Sequence, residues 1–324
     1  MERQKRILPW VEQFRPNTLN DIISQENVIE SLKKYLVTKN LPHLLLNGMA
    51  GTGKTSTIFA CASELYGDDI STMVLDINAS EERGIEVIRT KVTQFSTTKS
   101  FNGNNKLFKL VILDEVDAMT DDAQKLLISV MDNNIDCVRF CLICNYIKKI
   151  NPAILSRCTT FKFLPIEEKK CLDKIRHIAT IKSLNFTEDG LKLLYDMSKG
   201  DMRKIINTLN TCFGQIDEEN LSKSLGYPSS TDINNICNFF ENNSFEDSVN
   251  FTVELKNKKN YSLANIITVI VKKLLDFVIE SNNTKKINNI FITDIMLKLK
   301  NIEINVSICS NEIIQTVGFV ACFF

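Results

Sequence analysis

Gly48-Met49-Ala50-Gly51-Thr52-Gly53-Lys54-Thr55 satisfies the pattern G-x-x-x-x-G-K-[ST], and its flanks decide the fold. The apolar run 43–47 before it reads as a strand, and a helical pattern begins at Lys54. That is the strand–loop–helix setting the pattern needs. Glycines let backbone N–H groups close around phosphate oxygens, and the helix N-terminus adds its positive end. Gly48, Met49, Ala50, Gly51, Thr52 and Gly53, with Ser56 just behind them, are therefore expected to bind the nucleotide. Lys54 is expected to bridge the β- and γ-phosphates of ATP, and Thr55 to ligate Mg²⁺.

Outward from this loop, Leu110-Val111-Ile112-Leu113 reads as an apolar strand that delivers Asp114 and Glu115 at its C-terminal edge. Ligands bind at that edge in open α/β sheets. Asp114 is the second candidate ligand of Mg²⁺, and Glu115 the candidate to polarise an attacking water. Apolar strands are expected at 44–46, 73–77, 107–113, 138–144 and 160–163, alternating with helical segments. The rhythm predicts a parallel α/β sheet. After Leu164-Pro165 the strand signals fade, and 3.6-residue periodicity takes over at 169–182, 188–199 and 203–212. The turn formers Gly226-Tyr227-Pro228-Ser229-Ser230 mark a further boundary. The expected organisation is a nucleotide-binding α/β domain at 1–165, a helical lid at 166–226 and an all-α region at 227–324.

Composition narrows the class. Lys+Arg and Asp+Glu both total 39, so there is no global basic field, and any nucleic-acid contact must come from a local face. The basic start Met1-Glu2-Arg3-Gln4-Lys5-Arg6 leads into Ile7-Leu8-Pro9-Trp10 without the apolar stretch of a signal peptide. The apolar segment 263–279 is interrupted by Lys272-Lys273, which argues for a bundle helix over a membrane span. The ten cysteines are scattered, and Cys141-Leu142-Ile143-Cys144 sits inside an apolar run, so buried thiols are expected in place of disulfides or zinc. His43 and His177 have no nucleophile or ligand cluster beside them and are expected to be structural.

With these motifs in order, the chain resembles the small subunits of replication factor C, within the AAA+ ATPases, over residues 8–226. Leu8-Pro9-Trp10-Val11-Glu12-Gln13-Phe14-Arg15-Pro16 resembles the family's V-E-K-Y-R-P box, which implies an adenine cradle near Val11 and Arg15. Leu75-Asp76-Ile77-Asn78-Ala79-Ser80-Glu81-Glu82-Arg83-Gly84 resembles the element that faces the family's central DNA channel. Alone it reads as a charged turn; the resemblance makes Arg83 and Arg89 candidates for DNA phosphates, where arginine tracks a backbone without reading bases. Asn145 resembles sensor 1, which orients water or the γ-phosphate. Ser156-Arg157-Cys158 resembles the S-R-C motif, whose arginine is implied to act in trans on a neighbouring subunit's ATP. Gly200-Asp201-Met202-Arg203-Lys204 resembles sensor 2, placing Arg203 over the phosphates.

The resemblance implies a hetero-pentamer of clamp-loader subunits with a helical collar, a sliding clamp and primer-template DNA as partners, ATP and Mg²⁺ as cofactors, and no membrane. It implies residence in the nucleus, or in the cytoplasm for a viral or archaeal chain. Three departures stand out. Met49-Ala50 replaces the usual Pro-Pro at unconstrained loop positions, and Val116 replaces the usual alanine. Ile128-Ser129 replaces an Arg-Arg pair, so the resemblance carries no clamp or neighbour contact there. Two rival readings remain: a nucleic-acid remodelling motor or helicase, suggested superficially by Asp114-Glu115-Val116-Asp117, and a nucleotide-gated scaffold with little turnover.

Overall fold

The computed structural model describes residues 8–81, 85–97, 108–212, 215–281, 287–308 and 311–324. The chain folds into two compact units, one made of residues 1–182 and 194–211, the other of 183–193 and 212–324.

Among the described residues, the first unit is built on five parallel strands in the order β2-β3-β4-β1-β5. They are β1 Leu44–Gly48, β2 Val74–Asn78, β3 Lys109–Asp114, β4 Val138–Cys144 and β5 Thr159–Phe163. Each expected strand is present, with ends displaced by a residue or two. Met73 belongs to a short helical turn, Ile70–Met73, instead of the strand, and Leu107 lies outside the described residues.

A parallel sheet is covered on both faces, so its strands are apolar throughout and alternate residues feed two cores. Leu44, Leu46, Leu110, Ile112 and Cys141 pack on one side with Leu32 and Ile58, from the helices Glu26–Thr38 and Lys54–Tyr66. Leu45, Val111, Leu113, Leu142 and Cys144 pack on the other with Val92 and Leu127, from the helices Ile85–Thr97 and Asp121–Asn133. Truncating one such leucine to alanine costs about 2–5 kcal/mol. The same alternation separates the C-x-x-C pair: Cys141 and Cys144 enter opposite cores, both fully buried, and cannot share a metal. Burial pushes the Cys144 thiol up to about 12.

His43 ends the loop into β1 and is buried against Phe140, whose backbone N–H donates to His43 Nδ1 at 3.1 Å. Desolvation lowers its pKa to about 4, with Arg139 adding to the effect.

In the second unit two-residue strands, Asn185–Phe186 and Gln215–Ile216, pair in parallel. Their brevity hid them from any periodicity. Among the described residues six helices follow, from Glu218–Leu225 to Glu312–Ala321. Side-chain caps from Asp217, Ser229, Ser244 and Asn311 begin four of them. The apolar helix Leu263–Ser281 buries Ile266 and Ile270 with Ile236, Leu299 and Phe319, and leaves Phe277 and Ile279 exposed. No helix among the described residues is long and apolar enough to cross a membrane.

His43 generates a pH prediction. Its folded pKa lies below the ordinary value, so the unfolded chain binds the proton first. The stability it supports is complete above about pH 6.5 and is lost as pH falls towards 4, by up to about 3 kcal/mol. Denaturant unfolding of wild type and His43→Gln across that window should show the steeper pH slope in wild type; parallel curves would contradict the assignment.

Candidate functional site

The cleft lies at the C-terminal edge of the sheet, where β1 ends in the glycine loop and β3 and β4 end beside it. Leu113 pairs with Leu142, and Asn47 with Cys144, so Asp114 ends β3 and Asn145 directly follows β4 at this edge. About 200 Å³ of space is enclosed between this edge, the N-terminal segment around Val11 and Arg15, and the helix Met202–Thr211.

The loop adopts its shape because its glycines permit it. Gly51 has φ +70°, and a Cβ there would lie 1.7 Å from Asp201 Oδ1. Met202 N donates to Gly51 O at 3.2 Å, so the helix bearing Arg203 closes directly on the loop. Gly48 admits the backbone of β5: a Cβ there would meet Phe163 O at 2.5 Å.

Lys54 opens the helix Lys54–Tyr66, whose first-turn N–H groups have no intrahelical partner. Its ammonium is buried and donates to Gly48 O at 2.8 Å, Met49 O at 2.9 Å and Asn145 Oδ1 at 3.0 Å. Desolvation lowers its pKa, opposed chiefly by the Asp114 carboxylate. A buried cation held by neutral oxygens beside unpaired helix N–H groups is a site for a polyanion.

Thr55 Oγ1 donates to Asp114 Oδ2 at 2.8 Å, while Asp114 Oδ1 accepts from Glu115 N at 2.8 Å. The hydroxyl and carboxylate are hard oxygen donors side by side, which fits Mg²⁺, an ion that takes few protein ligands and completes its shell with phosphate and water. Among the described residues no group of three His, Cys, Asp or Glu side chains is placed to hold a metal. Glu115 turns the chain with φ 57°, a left-handed conformation uncommon outside glycine, and lines the cleft beside Asp114.

Two supports escaped the sequence reading. Asp117 Oδ2 accepts from the backbone N–H groups of Asn145 at 3.3 Å and Tyr146 at 3.0 Å, which fixes the segment carrying the sensor-like amide. Its spacing of three from Asp114 was the available signal. The second is an apolar sleeve contributed to the cleft by Phe14, Pro16, Ile22, Ile23, Ile166 and Ile206, and Lys174 lines the same cleft. Nothing local marks these, because they come together only when the chain folds.

Val11, Arg15, Ala50 to Ser56, Asp114, Glu115, Asn145 and Arg203 all line this one cleft. Arg15 is oriented by Glu12 at 3.1 Å and by the Phe59 ring, 4.9 Å from its guanidinium carbon. Gly48 and Met49 contribute the carbonyls that hold Lys54. Arg157 does not line the cleft: it forms a bidentate pair with Asp132. Arg89 is exposed on its helix, 3.8 Å from Glu86 and also outside the cleft, and Arg83 lies outside the described residues.

Residues 44–166 match the family described as ATPase family associated with various cellular activities (AAA). Across the whole chain the similarity is closer. Replication factor C subunit 5 of Homo sapiens is 41% identical, over 98% of this chain and 92% of its own length. Replication factor C subunit 3 of Saccharomyces cerevisiae is 36% identical over 97% and 92%. A putative replication factor C small subunit of Acanthamoeba polyphaga mimivirus is 38% identical over 99% and 94%. Among solved structures, the Thermotoga maritima RuvB Holliday junction branch migration motor superposes with a TM-score of 0.52 at 18% identity, covering 74% of this chain and 85% of that one. At that identity the likeness is one of fold.

Gly51→Ala should abolish nucleotide binding at concentrations that saturate wild type, because φ and the Asp201 contact both forbid a Cβ, while the circular dichroism of the fold is retained. Glu115→Gln should bind ATP as wild type does and lose about 100-fold or more in hydrolysis rate. Equilibrium titration with a fluorescent ATP analogue, together with phosphate release, reads both; unimpaired hydrolysis by Glu115→Gln would remove that residue from the chemistry.

Proposed function

Because the chain belongs to the replication factor C small-subunit family of AAA ATPases, we propose that it works as one ATPase subunit of a sliding-clamp loader, with the cleft at Lys54 as its nucleotide site. It is an ATP hydrolase. Leu8-Pro9-Trp10 and the stretch Phe95-Ser96-Thr97-Thr98 point, within the family, to the subunit numbered 5 in some organisms and 3 in others, as in the named relatives.

The observation that carries the reading is the convergence of Lys54, Thr55, Asp114, Glu115, Asn145 and Arg203 on one cleft, in a chain that is similar to these relatives nearly end to end. The adenine packs in the sleeve beside Val11 and Arg15. Backbone N–H groups of residues 51–55 take the phosphates, and Lys54 exchanges its carbonyl partners for phosphate oxygens. Thr55 and Asp114 would hold Mg²⁺, which would neutralise part of the negative charge on the phosphates. Glu115 polarises the attacking water, Asn145, whose backbone N–H is held by Asp117, orients it through its side-chain amide, and Arg203 draws charge from the phosphates. The intact set argues against a scaffold with little turnover. The similarity to replication factor C subunits over nearly the whole chain argues against a helicase.

The remaining parts complete the proposal. Residues 1–165 form the nucleotide-binding domain, 166–226 the lid and 227–324 a helical collar that joins the neighbours in a hetero-pentamer. Arg157 reaches the ATP of an adjacent subunit, and Arg83 and Arg89 follow DNA phosphates in the central channel. ATP binding organises the assembly around an opened clamp and primer-template DNA, and hydrolysis releases the clamp. The subunit works in the nucleus, or in the cytoplasm for a viral or archaeal chain; similarity to eukaryotic and viral relatives supports these two settings.

Reconstitution of the chain with companion small subunits, the large subunit, a sliding clamp and primed DNA tests this reading. Clamp should accumulate on closed circular primed DNA only with ATP, and DNA with clamp should stimulate hydrolysis several-fold. Strand separation without clamp loading would contradict it.

A further inference from the structure

Arg157 follows the short helix Pro152–Leu155 at the surface, yet its side chain is not loose. Nε and Nη2 donate to Asp132 Oδ1 and Oδ2 at 2.9 and 3.0 Å, a side-on bidentate pair, and Nη1 donates to Ala153 O at 3.0 Å. A guanidinium carries five N–H donors in a rigid plane. Three are engaged here, and the side chain remains 37% exposed. The side-on grip takes one edge of the plane and leaves donors of Nη1 and Nη2 for a second ligand.

The position of Asp132 is informative in its own right. It stands in the last turn of the helix Asp121–Asn133, where the exposed carbonyl ends favour a cation and disfavour an anion, and no basic residue occupies that turn. The helix therefore carries a carboxylate where its own electrostatics oppose one. What that carboxylate does hold is an arginine 25 residues further along the chain. The hydrogen bond from Arg157 keeps the Asp132 carboxyl below its ordinary range. Exposed ion pairs contribute little to folding, so stability does not account for the placement.

Resting on the reading of Arg157 as the arginine that acts on a neighbouring subunit's ATP, we propose that Asp132 is a positioning residue for that reaction, holding the guanidinium so that its free N–H edge is presented to the neighbour's γ-phosphate. An unheld arginine samples many rotamers and must be ordered as charge develops on the phosphate. One gripped at its other edge is ordered beforehand, and a misplacement of about 1 Å in such a group costs as much as 100-fold in rate. Asp132 itself touches neither nucleotide.

The test uses the reconstituted hetero-oligomer with hydrolysis silenced at all sites but the one that receives Arg157. Arg157→Ala should lower single-turnover hydrolysis there by about 100-fold or more. Asp132→Ala should lower it by roughly 10-fold to 100-fold while ATP affinity at that site and at this chain's own site stays unchanged. Asp132→Glu, which keeps a carboxylate, should recover most of the loss. Equal melting temperatures of the free variants and wild type exclude misfolding, and Asp132→Asn, of nearly the same shape, replaces the alanine variant if that melts early. If Arg157→Ala leaves the neighbouring site at full rate, the trans reading fails and this proposal with it. If Arg157→Ala is impaired while Asp132→Ala and Asp132→Asn hydrolyse at the wild-type rate or faster, the positioning role alone is overturned.

Discussion

A buried ammonium hydrogen-bonded to neutral oxygens sets the terms for the rest of this structure. Lys54 is drawn beneath the glycine loop, donating to two loop carbonyls and to the amide oxygen of Asn145. Removing a cation from water is costly unless its donors are satisfied, and neutral oxygens compensate only part of that cost. Three elements must therefore end at one place: β1 to bring the loop, β4 to bring Asn145, and the helix after the loop to bring Lys54. The strand order, with β1 between β4 and β5 and β3 beyond β4, achieves this and adds Asp114 and Glu115 from the next strand edge. Phosphate oxygens would be stronger partners for this cation than the neutral oxygens that hold it, and the groups around it are already in place for them.

Much of this was legible because it is local. A glycine loop between strand and helix is written within 13 residues, 43–55, and the carboxylates at the end of an apolar run are written within six, 110–115. The five strands were legible for the same reason, since a sheet buried on both faces requires continuous apolar runs. What escaped depends on sequence-distant packing. The sleeve joins Phe14 and Ile22 to Ile166 and Ile206, and none of these differs in type from an ordinary core residue. Asp117 was in view as part of an acidic run, but its action on the backbone of Asn145 depends on how β3 and β4 lie side by side. The pair of two-residue strands is shorter than any period that would reveal it.

Arginines divide along the same line. Arg15 and Arg203 line the cleft, whereas Arg157 and Arg89 are exposed and outside it, each beside an acidic side chain. Sequence type alone did not separate them, since arginine motifs are read by resemblance and sorted by geometry. The cysteines show the reverse situation. Alternation along β4 sends Cys141 and Cys144 to opposite faces, so strand periodicity alone removes the metal reading that their spacing suggests.

In the proposed mechanism Lys54 acts through the β- and γ-phosphates while the apolar side chains of the cleft hold the base independently. Calorimetric titration of the wild-type chain and Lys54→Met with ATP and with AMP, both in the presence of Mg²⁺, tests that division directly. Wild type should bind ATP far more tightly than AMP. In Lys54→Met the preference for ATP should collapse by about 10-fold or more, the loss of a charged hydrogen-bonding group, with AMP affinity unchanged. An undiminished preference for ATP in the variant, or an equal loss for both nucleotides, would contradict it.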